Sequence, residues 1–472
     1  MSELTPDLPL DIGVVPAPAD EARPASMRRG SAARFIADAS GLVFGILSGV
    51  ITARGLGPAG KGLFSSLTLL SGIVLWVCSL GLGDAAIVMV GQRKATVQEA
   101  LSVTLTAVLG LSLIGTALLW GAMILAFRSD WHQVKGAAVL ACLTLPLLVI
   151  SNNLAFLLSA QDRVVAHSAV NATISVTNSL GLMLFVGLIP LSIAGGILAN
   201  GVGSGAGVVV AIVLLRRSGL SLRLGFDRVY LAAAVRYGLS VAVSYVVTIM
   251  FLRVDLLVTY VLAGSGPAGN YSVALGLSAL VGLLPTAISA GTFPRLATVD
   301  EATANKLTAQ ACRYATAAAA TMAVGLLVVV PVGLPLLFGR AFRAAVAPTL
   351  ILLPGGVLWS IQWLLCRAEA ARGRPGLLLR SFMLGLAVMC TLDYLLIPRV
   401  GIKGGASAAV AGPAAGLLLC LLSYRRSRSW TAPLRSLLPG PDDFRSLLAQ
   451  SLDLLPLRRR ARAAEAGDTR LR

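Results

Sequence analysis

The tetrapeptide Gly-Pro-Ala-Gly occurs twice in this chain, at residues 57–60 and again, 209 residues later, at residues 266–269. Each copy follows one long apolar segment and precedes another. A duplication of hydrophobic segments is typical of membrane proteins in which two related halves face a common path. Two further pairs repeat at a spacing of 208 or 209 residues, namely Leu188-Ile189-Pro190 with Leu396-Ile397-Pro398 and Arg216-Arg217 with Arg425-Arg426. The pattern predicts two related halves.

The composition predicts that these halves lie in a membrane. Hydrophobic residues make up 56% of the chain and charged residues only 13%, with a mean hydropathy of +0.83. A spanning helix needs roughly 20 apolar residues to cross about 30 Å of hydrocarbon. The sequence therefore predicts an all-α polytopic protein with twelve transmembrane helices. The expected spans are 35–53, 63–82, 100–127, 137–160, 164–189, 191–215, 238–262, 271–292, 315–338, 345–366, 376–397 and 402–424.

Lys and Arg are distributed unevenly between the two sides of the predicted bundle. With the N-terminus in the cytoplasm, most of the 39 lie in the tails and in the even-numbered connections. Because cytoplasmic loops accumulate Lys and Arg, we expect both termini in the cytoplasm and two parallel six-helix repeats. The net charge of +18 follows from this topology and does not indicate nucleic-acid binding. The predicted external side holds only Arg54, Lys61, Arg128, Lys135, Arg340, Arg343, Arg399 and Lys403.

Charge and hydropathy also divide the chain into segments. Residues 1–33 are predicted to be a disordered cytoplasmic tail, because they are too poor in apolar residues to form a core. Residues 34–217 form the first predicted half, 218–236 a cytoplasmic linker and 237–424 the second half. The basic tail 425–472 either forms an amphipathic helix on the membrane surface or has little structure. The apolar positions that favour the helix are Phe444, Leu447, Leu448, Leu452 and Leu455.

Cofactor and metal chemistry find little support in the sequence. Six cysteines without a CxxC pair and only two histidines predict neither a disulfide framework nor a metal centre. Gly55, Gly60 and Lys61 match a phosphate-loop spacing, but Gly62 stands where such a loop needs Ser or Thr. We interpret this segment as a tight external turn with Lys61 at the lipid headgroups. We therefore expect no cofactor.

An enzyme is also disfavoured by the sequence. The predicted external loops are short and contain few acidic residues, whereas a membrane glycosyltransferase or polymerase needs catalytic carboxylates or histidines. Asp130 and His132 are the only notable external pair, and no nucleophile has a suitable spacing to them. We therefore expect a protein without catalytic activity.

The most informative residues are polar and lie inside predicted spans, where an ionisable group is costly unless it faces a cavity or a partner. Arg253 and Asp255 lie in the seventh span, about 200° apart around the helix, so they cannot pair on one face. Asp255 aligns with Ser240, Ser244 and Thr248, which predicts a polar face at the interface between halves. Arg253 has either a carboxylate partner on another helix or an anionic ligand.

Three other spans carry polar side chains. In the first, Arg34, Asp38, Ser48 and Thr52 share an arc of about 80°, and Gly41, Gly45 and Gly49 on the same side favour close helix packing over a cavity. In the fifth, a stripe either lines a wet cavity or forms interhelical hydrogen bonds. That stripe consists of His167, Asn171, Ser175 and Asn178. In the eleventh, Asp393 is either a proton or cation site or the partner of an arginine, and Arg380 is the other charged residue.

Several motifs resemble one known family. Residues 54–60 and 80–86, and more strongly residues 252–257, 266–274 and 293–296, resemble the bacterial polysaccharide-unit flippases. These flippases belong to the multidrug, oligosaccharidyl-lipid and polysaccharide exporter superfamily. The resemblance covers roughly residues 34 to 424.

The resemblance implies a V-shaped pair of six-helix bundles in the bacterial cytoplasmic (inner) membrane. Such a protein moves an isoprenoid-pyrophosphate-linked oligosaccharide outward by alternating access, for cell-surface or exopolysaccharide synthesis. Its partners would be this lipid-linked substrate, membrane lipids, and a polysaccharide polymerase with glycosyltransferases. Arg253, Arg34 and Arg380 would contact the anion and His167, Asn171 and Asn178 the sugar. Asp38, Asp255 and Asp393 are the candidate sites for a proton or sodium counter-ion.

Two related functions are compatible with the same architecture. A cation-coupled multidrug antiporter of this superfamily would use a site centred on carboxylates, with few arginines in its cavity. A peptidoglycan-precursor flippase usually has fourteen helices, whereas this sequence predicts twelve.

Overall fold

The computed structural model describes residues 24–161, 163–189, 191–296, 298–374 and 376–426, and positions 437, 439, 440 and 443. For residues 24–40, 42, 164, 294 and 295 it describes the backbone alone. The predicted amphipathic helix in the C-terminal tail, the first 23 residues of the predicted N-terminal tail and Pro190 lie outside the described residues.

The described chain is helical from end to end, as the sequence predicts. Short 3₁₀ segments precede α9 and α11, and a π-helical turn, Met183–Leu188, extends α5. The helices are α1 (Pro24–Ser79), α2 (Leu82–Gly91), α3 (Val97–Ala126), α4 (Trp131–Ala160), α5 (Val164–Leu182), α6 (Ser192–Arg217), α7 (Arg228–Ala263), α8 (Ser265–Ser278), α9 (Leu283–Leu296), α10 (Glu301–Phe338), α11 (Val346–Ala371), α12 (Gly376–Val400) and α13 (Ile402–Arg426).

The first Gly-Pro-Ala-Gly copy is the point at which α1 breaks into two arms. Gly57 has φ 65° and ψ −179°, a conformation that side chains with a Cβ avoid. Pro58 then starts the second arm, where its missing N–H costs nothing. In the second half Gly264, with φ 90° and ψ 179°, separates α7 from α8. The two turns therefore share one backbone conformation, although the second glycine lies two residues before the repeated tetrapeptide.

The number of membrane-length helices is close to the predicted twelve. Within the described residues, eleven helical segments are long and apolar enough to span a membrane. The first of them, Val43–Gly91, is 49 residues long, and it contains parts of the first two predicted spans on either side of Gly57. One crossing by each arm gives twelve.

Several helices begin well before the predicted spans because polar caps, not the apolar boundary, fix their first turns. Thr96 and Glu99 form a capping box at α3. The Asp227 side chain accepts hydrogen bonds from two backbone N–H groups of α7. The Asp300 side chain accepts one from the backbone N–H of Thr303 in α10. A cap satisfies N–H groups that a helix leaves free. These helices therefore project beyond their apolar segments on the predicted cytoplasmic side.

The first half (α1–α6) and the second half (α7–α13) meet mainly through α1, and α2 and α3 also contact α7. Helix α1 packs against α3, α5 and α6 of its own half and against α7 and α8 of the other. The backbones are closest just after the two turns, where a methyl group on Gly62 would overlap the Ser265 carbonyl and one on Gly269 the Pro58 carbonyl. At the opposite end, a methyl group on Gly238 would overlap the Leu80 carbonyl. The halves thus touch at both ends and enclose space between them.

Candidate functional site

The space between the halves is a cavity of about 820 Å³, called here the main cavity. Its walls come from both arms of α1 and from α5, α6, α7 and α8, and Phe338 of α10 closes one edge. It is therefore built at the interface of the two predicted repeats. Cavities of this size accommodate ligands the size of a drug or a short oligosaccharide.

Lys61 lies in this cavity wall and corrects the sequence interpretation. Its side chain is only 9% exposed, and its Nζ donates a hydrogen bond to Thr52 Oγ1 at 2.7 Å. The ammonium also lies 5.6 Å from the centre of the Phe64 ring. The prediction that Lys61 sits among lipid headgroups is wrong, because the break at Gly57 folds the second arm back so that Lys61 faces the first arm.

Arg253 is the other cation of the main cavity. It also lines a second cavity of about 160 Å³, called here the small cavity. Among the described residues, no hydrogen bond or ion pair is recorded for its guanidinium, and the recorded ion pairs lie elsewhere. Asp255 lies within electrostatic range of Arg253 but forms no ion pair with it, as the spacing of about 200° around the helix predicts. Arg253 is left free to contact a ligand.

The remaining wall of the main cavity is uncharged. None of its described lining residues is Asp or Glu. Hydroxyl, amide and phenol groups supply hydrogen bonds instead, from Ser48, Thr52, Ser65, Thr68, Asn178, Asn200, Tyr245, Thr248 and Ser272. Two cations in a wall with no acidic lining residue attract an anion, and the neutral groups are suited to sugar hydroxyls.

Asp255 lies at the small cavity, not at the main one. It is 1% exposed and accepts a hydrogen bond of 2.6 Å from Tyr271 Oη of α8. Its other oxygen accepts from the backbone N–H of Leu256 at 2.9 Å. Thr248, which shares its face of the helix, lines the main cavity. The predicted polar face of α7 is thus divided between two environments.

Asp393 of α12 is the second buried carboxyl group of this region. It is fully buried, and neither carboxyl oxygen has a hydrogen-bond partner in the described part of the chain. It lies one helical turn from Met389, which lines the small cavity, and within electrostatic range of Asp255. The arginine partner considered for Asp393 is not observed among the described residues. An unpaired buried carboxyl group needs a proton or a cation.

The polar stripe predicted on α5 is only partly in the cavity. Asn178 lines it, and its buried Oδ1 has no hydrogen-bond partner among the described residues. His167 instead packs on α4, where its Nδ1 forms a 2.8 Å hydrogen bond with the Ala155 carbonyl. Asn171 is exposed and does not line the main cavity. The stripe follows α5 for about three turns beyond the cavity.

The other predicted contacts are placed as follows. Arg380 is exposed and does not line the main cavity. For Arg34 and Asp38 only the helical backbone is described, and their side chains lie outside the described residues.

The glycines of the first arm face the cavity instead of a neighbouring helix. Gly41, Gly45 and Gly49 all line the main cavity, and a methyl group on Gly45 would meet nothing within 4 Å. The close packing predicted from their spacing is therefore wrong at this position. Contact with α5 occurs on an adjacent face, where the Ser48 and Ser179 hydroxyls hydrogen-bond at 2.8 Å.

Several lining residues were missed in the sequence analysis, among them Asn200 and Lys61. Asn200 sits on an apolar, glycine-rich helix. Lys61 had a usable signal, because it directly follows the first Gly-Pro-Ala-Gly and its counterpart after the second is Asn270. A polar residue at both repeats of one position, next to a helix break, indicates a side chain that points inward.

Comparison with models of known families and with curated proteins finds no match. Solved structures do share the fold. An inward-facing multidrug resistance MATE family transporter of the MOP superfamily has a TM-score of 0.68, with 82% of this chain and 94% of that chain covered at 16% identity. The lipid II flippase MurJ in an inward closed conformation has a TM-score of 0.67, covering 86% and 88% at 13% identity.

An outward-facing MATE transporter is less similar. Its TM-score is 0.58, with 86% of this chain and 96% of that chain covered at 16% identity. At these identities the comparison establishes the fold, which this chain has in common with MATE transporters and MurJ.

Proposed function

We propose that this protein is a flippase that moves an isoprenoid-pyrophosphate-linked oligosaccharide across the bacterial cytoplasmic membrane. The observation that carries the proposal is the charge of the main cavity. Lys61 and Arg253 line it, and no carboxylate does among the described residues. A diphosphate would receive charge-assisted hydrogen bonds from both cations, which are the strong kind.

The neutral part of the wall suits the rest of such a substrate. Asn178 and Asn200 offer amide groups, and the hydroxyls of α1 and α7 add donors and acceptors for sugar hydroxyls. The isoprenoid chain would stay in the bilayer beside the halves. A sugar-binding site needs directional hydrogen bonds that are satisfied only by the right ligand, so these amides would contribute most to the choice of sugar.

The membrane potential supplies a driving force for this direction. Moving one charge through 100 mV is worth about 2.3 kcal/mol, and an inside-negative potential favours the outward movement of an anion. ATP is not required on this account. Asp255 and Asp393 would in addition bind a proton or sodium ion, whose return would reset the protein.

Contacts between the halves close the predicted external end, and the halves also touch at the opposite end, where Gly238 meets Leu80. The Tyr260 hydroxyl of α7 donates to Asp130 after α3 at 2.8 Å. Arg54 of α1 donates to the carbonyls of Leu336 and Leu337 at the end of α10, both at 2.8 Å. The better fit to an inward-facing than to an outward-facing MATE transporter agrees with a closed external end.

A cation-coupled multidrug antiporter is the second candidate function. The fold match to MATE transporters favours it, and so do the buried carboxyl groups beside the small cavity. Against it, the larger cavity presents two cations to its ligand, which would repel a cationic drug. A peptidoglycan-precursor flippase is a further candidate, and the fold match to the lipid II flippase MurJ favours a lipid-linked substrate.

Reconstitution in liposomes tests the proposal directly. The protein would be supplied with a labelled isoprenoid-pyrophosphate-sugar, and the label reaching the opposite leaflet would be measured for wild type and Arg253→Gln. Wild type is expected to move the label, and Arg253→Gln to move at least about tenfold less, since a lost charge-assisted contact costs about 1.5–3 kcal/mol. Arg236→Gln is the matched control, because Arg236 lies on the same helix but is exposed and outside the cavity wall.

A different result in the same assay would contradict the flippase proposal. If wild type moves none of the lipid-linked sugar but exchanges protons or sodium for organic cations, the antiporter candidate replaces the flippase. Arg253 would then have a role in packing only.

A further inference from the structure

A second large cavity lies at the predicted external end of the second half. Its volume is about 780 Å³, and it is called here the rim pocket. The start of α8, the 3₁₀ segment Arg340–Ala345 with the start of α11, and the junction between α12 and α13 form most of its wall. It has no lining residue in common with the main cavity.

The charge of the rim pocket is positive. Arg343 and Lys403 line it, and no Asp or Glu does among the described residues. External loops normally contain few Lys and Arg, so two cations at this end of the chain are unusual. Two other Lys or Arg residues on the predicted external side, Arg54 and Lys61, have hydrogen-bond partners within the fold. The side chains of Arg343 and Lys403 form no hydrogen bond or ion pair in the described part of the chain, and both are exposed.

Two helices start at the rim pocket after a break in the chain. Gly266 and Pro267 of the first turn of α8 line it, as do Ile402 and Lys403 of α13. Val346 and Ala347 of α11 also line it, but α11 continues from the 3₁₀ segment, and the Val346 N–H group is bonded to the Arg343 carbonyl. The first N–H groups of a helix lack acceptors within that helix, and no side chain caps α8. Helix N-termini carry partial positive charge and bind phosphate groups, so two of them here add to two full cations.

A buried amide also lies in the wall. Asn270 is 8% exposed, its Nδ2 donates to the Gly266 carbonyl, and its Oδ1 has no hydrogen-bond partner among the described residues. Because this oxygen is an acceptor, it suits a hydroxyl or ammonium group of a ligand and not a phosphate oxygen. The apolar part of the wall includes Pro331, Val346 and Val400. Val400 is 55% exposed, so the pocket is bordered by apolar surface where a lipid chain would lie. The site thus combines an anion-binding floor with an apolar edge.

We propose that the rim pocket binds a phosphate-bearing headgroup on the external face of the membrane. Arg343 and Lys403 contact the phosphate oxygens, and the starts of α8 and α13 donate backbone N–H groups to them. The ligand is a phospholipid headgroup or a free phosphate compound, since both present the same oxygens. The proposal does not depend on the function of the main cavity.

Ligand-induced thermal stabilisation of the purified protein tests this proposal. All variants would be made in a Lys61→Gln/Arg253→Gln background, so that the main cavity does not contribute anion binding. Three probes would be titrated in detergent: inorganic pyrophosphate, phosphatidylglycerol and phosphatidylcholine. The pocket variant is Arg343→Gln/Lys403→Gln. The matched control is Arg340→Gln/Arg399→Gln, which removes the same charge from the same end outside the pocket wall.

The pocket variant is expected to bind the anionic probes at least about tenfold more weakly than its background, because two charge-assisted contacts are lost. The control should stay within about twofold, since exposed charges contribute little. The charge-conserving swap Arg343→Lys/Lys403→Arg should retain binding, which separates a lost site from a lost fold. Stabilisation by pyrophosphate would identify phosphate oxygens as sufficient, and stabilisation by phosphatidylglycerol alone would show that the acyl chains also contribute.

Two results would overturn the proposal. One is equal binding by the pocket variant and its background. The other is equal stabilisation by phosphatidylglycerol and phosphatidylcholine together with no effect of pyrophosphate, because a phosphate site with two cations must prefer anions.

Discussion

The main cavity and the region around the small cavity differ in charge, although α7 contributes to both. Arg253 faces the main cavity together with Lys61, and no acidic residue accompanies them in the described wall. Asp255, two residues later, lies in the small cavity, within range of the buried Asp393. Arg253 lines the small cavity as well, so α7 presents a cation to both cavities and its carboxyl group to the small cavity alone. Under the proposed function, the main cavity takes an anion and the acidic region takes a cation.

Removing both cations of the main cavity should have the largest effect. Lys61→Gln/Arg253→Gln should reduce translocation of an isoprenoid-pyrophosphate-sugar by about a hundredfold or more, since each lost charge-assisted contact costs at least about 1.4 kcal/mol, a factor of ten. Initial rates in liposomes measure this. The charge-conserving Lys61→Arg/Arg253→Lys should keep most of the activity, and equal losses in both variants would instead point to shape, not charge.

Introducing a carboxylate into the main cavity should reduce the difference in charge between the main cavity and the region around the small cavity. Asn178→Asp adds a carboxylate of nearly the same shape to the wall, and its repulsion should weaken binding of the diphosphate lipid by about tenfold. Equilibrium binding to the detergent-solubilised protein measures the change. Asn171→Asp is the control, because Asn171 lies on the same helix but is exposed outside the cavity. A similar loss in the control would mean that overall charge determines affinity.

Neutralising the acidic region should affect ions and not the anionic lipid. Asp393 is buried without a partner among the described residues, so Asp393→Asn removes a carboxylate that a proton or cation would neutralise. In wild type we expect a sodium or proton gradient to stimulate translocation several-fold, and in the variant this stimulation should disappear, as measured by gradient-driven transport in liposomes. The affinity for the diphosphate lipid should stay within about twofold, as measured by equilibrium binding. Retained stimulation would remove Asp393 from the ion site.

The smallest effect is expected from the hydrogen bond that orients Asp255. Tyr271→Phe removes the 2.6 Å contact to its carboxyl group, which should lower the free energy of unfolding by about 1–3 kcal/mol. Thermal unfolding of the single variants and of Tyr271→Phe/Asp255→Asn forms a double-mutant cycle. A coupling energy near zero would show that the contact does not hold Asp255 in place.

The general architecture could be predicted from the sequence because it depends on local properties. Apolar length gave the spans, and the repeated tetrapeptide marked both breaks at which the chain turns, near Gly57 and Gly264. Helix starts such as Arg228 and Glu301 were placed too late, since their caps lie outside the apolar segments.

The site was harder to predict because it depends on how helices face one another. Arg253 was found because an arginine inside a span stands out. Lys61 was assigned to an external loop, since charge counting ignores the direction in which a broken helix returns. Of the stripe on α5, only Asn178 lines the cavity, and which turn of a helix meets a cavity is decided by its neighbours. The close helix packing predicted at the glycines of the first arm was wrong for the same reason.

The most direct test measures two ligands on the same three proteins. Binding of an isoprenoid-pyrophosphate-sugar and of sodium would be determined for wild type, for Lys61→Gln/Arg253→Gln and for Asp255→Asn/Asp393→Asn, with proton release on binding measured in parallel. The account predicts that the first variant loses the lipid-linked anion and keeps the cation, and that the second does the reverse. Loss of the same ligand in both variants would contradict the assignment of two oppositely charged sites.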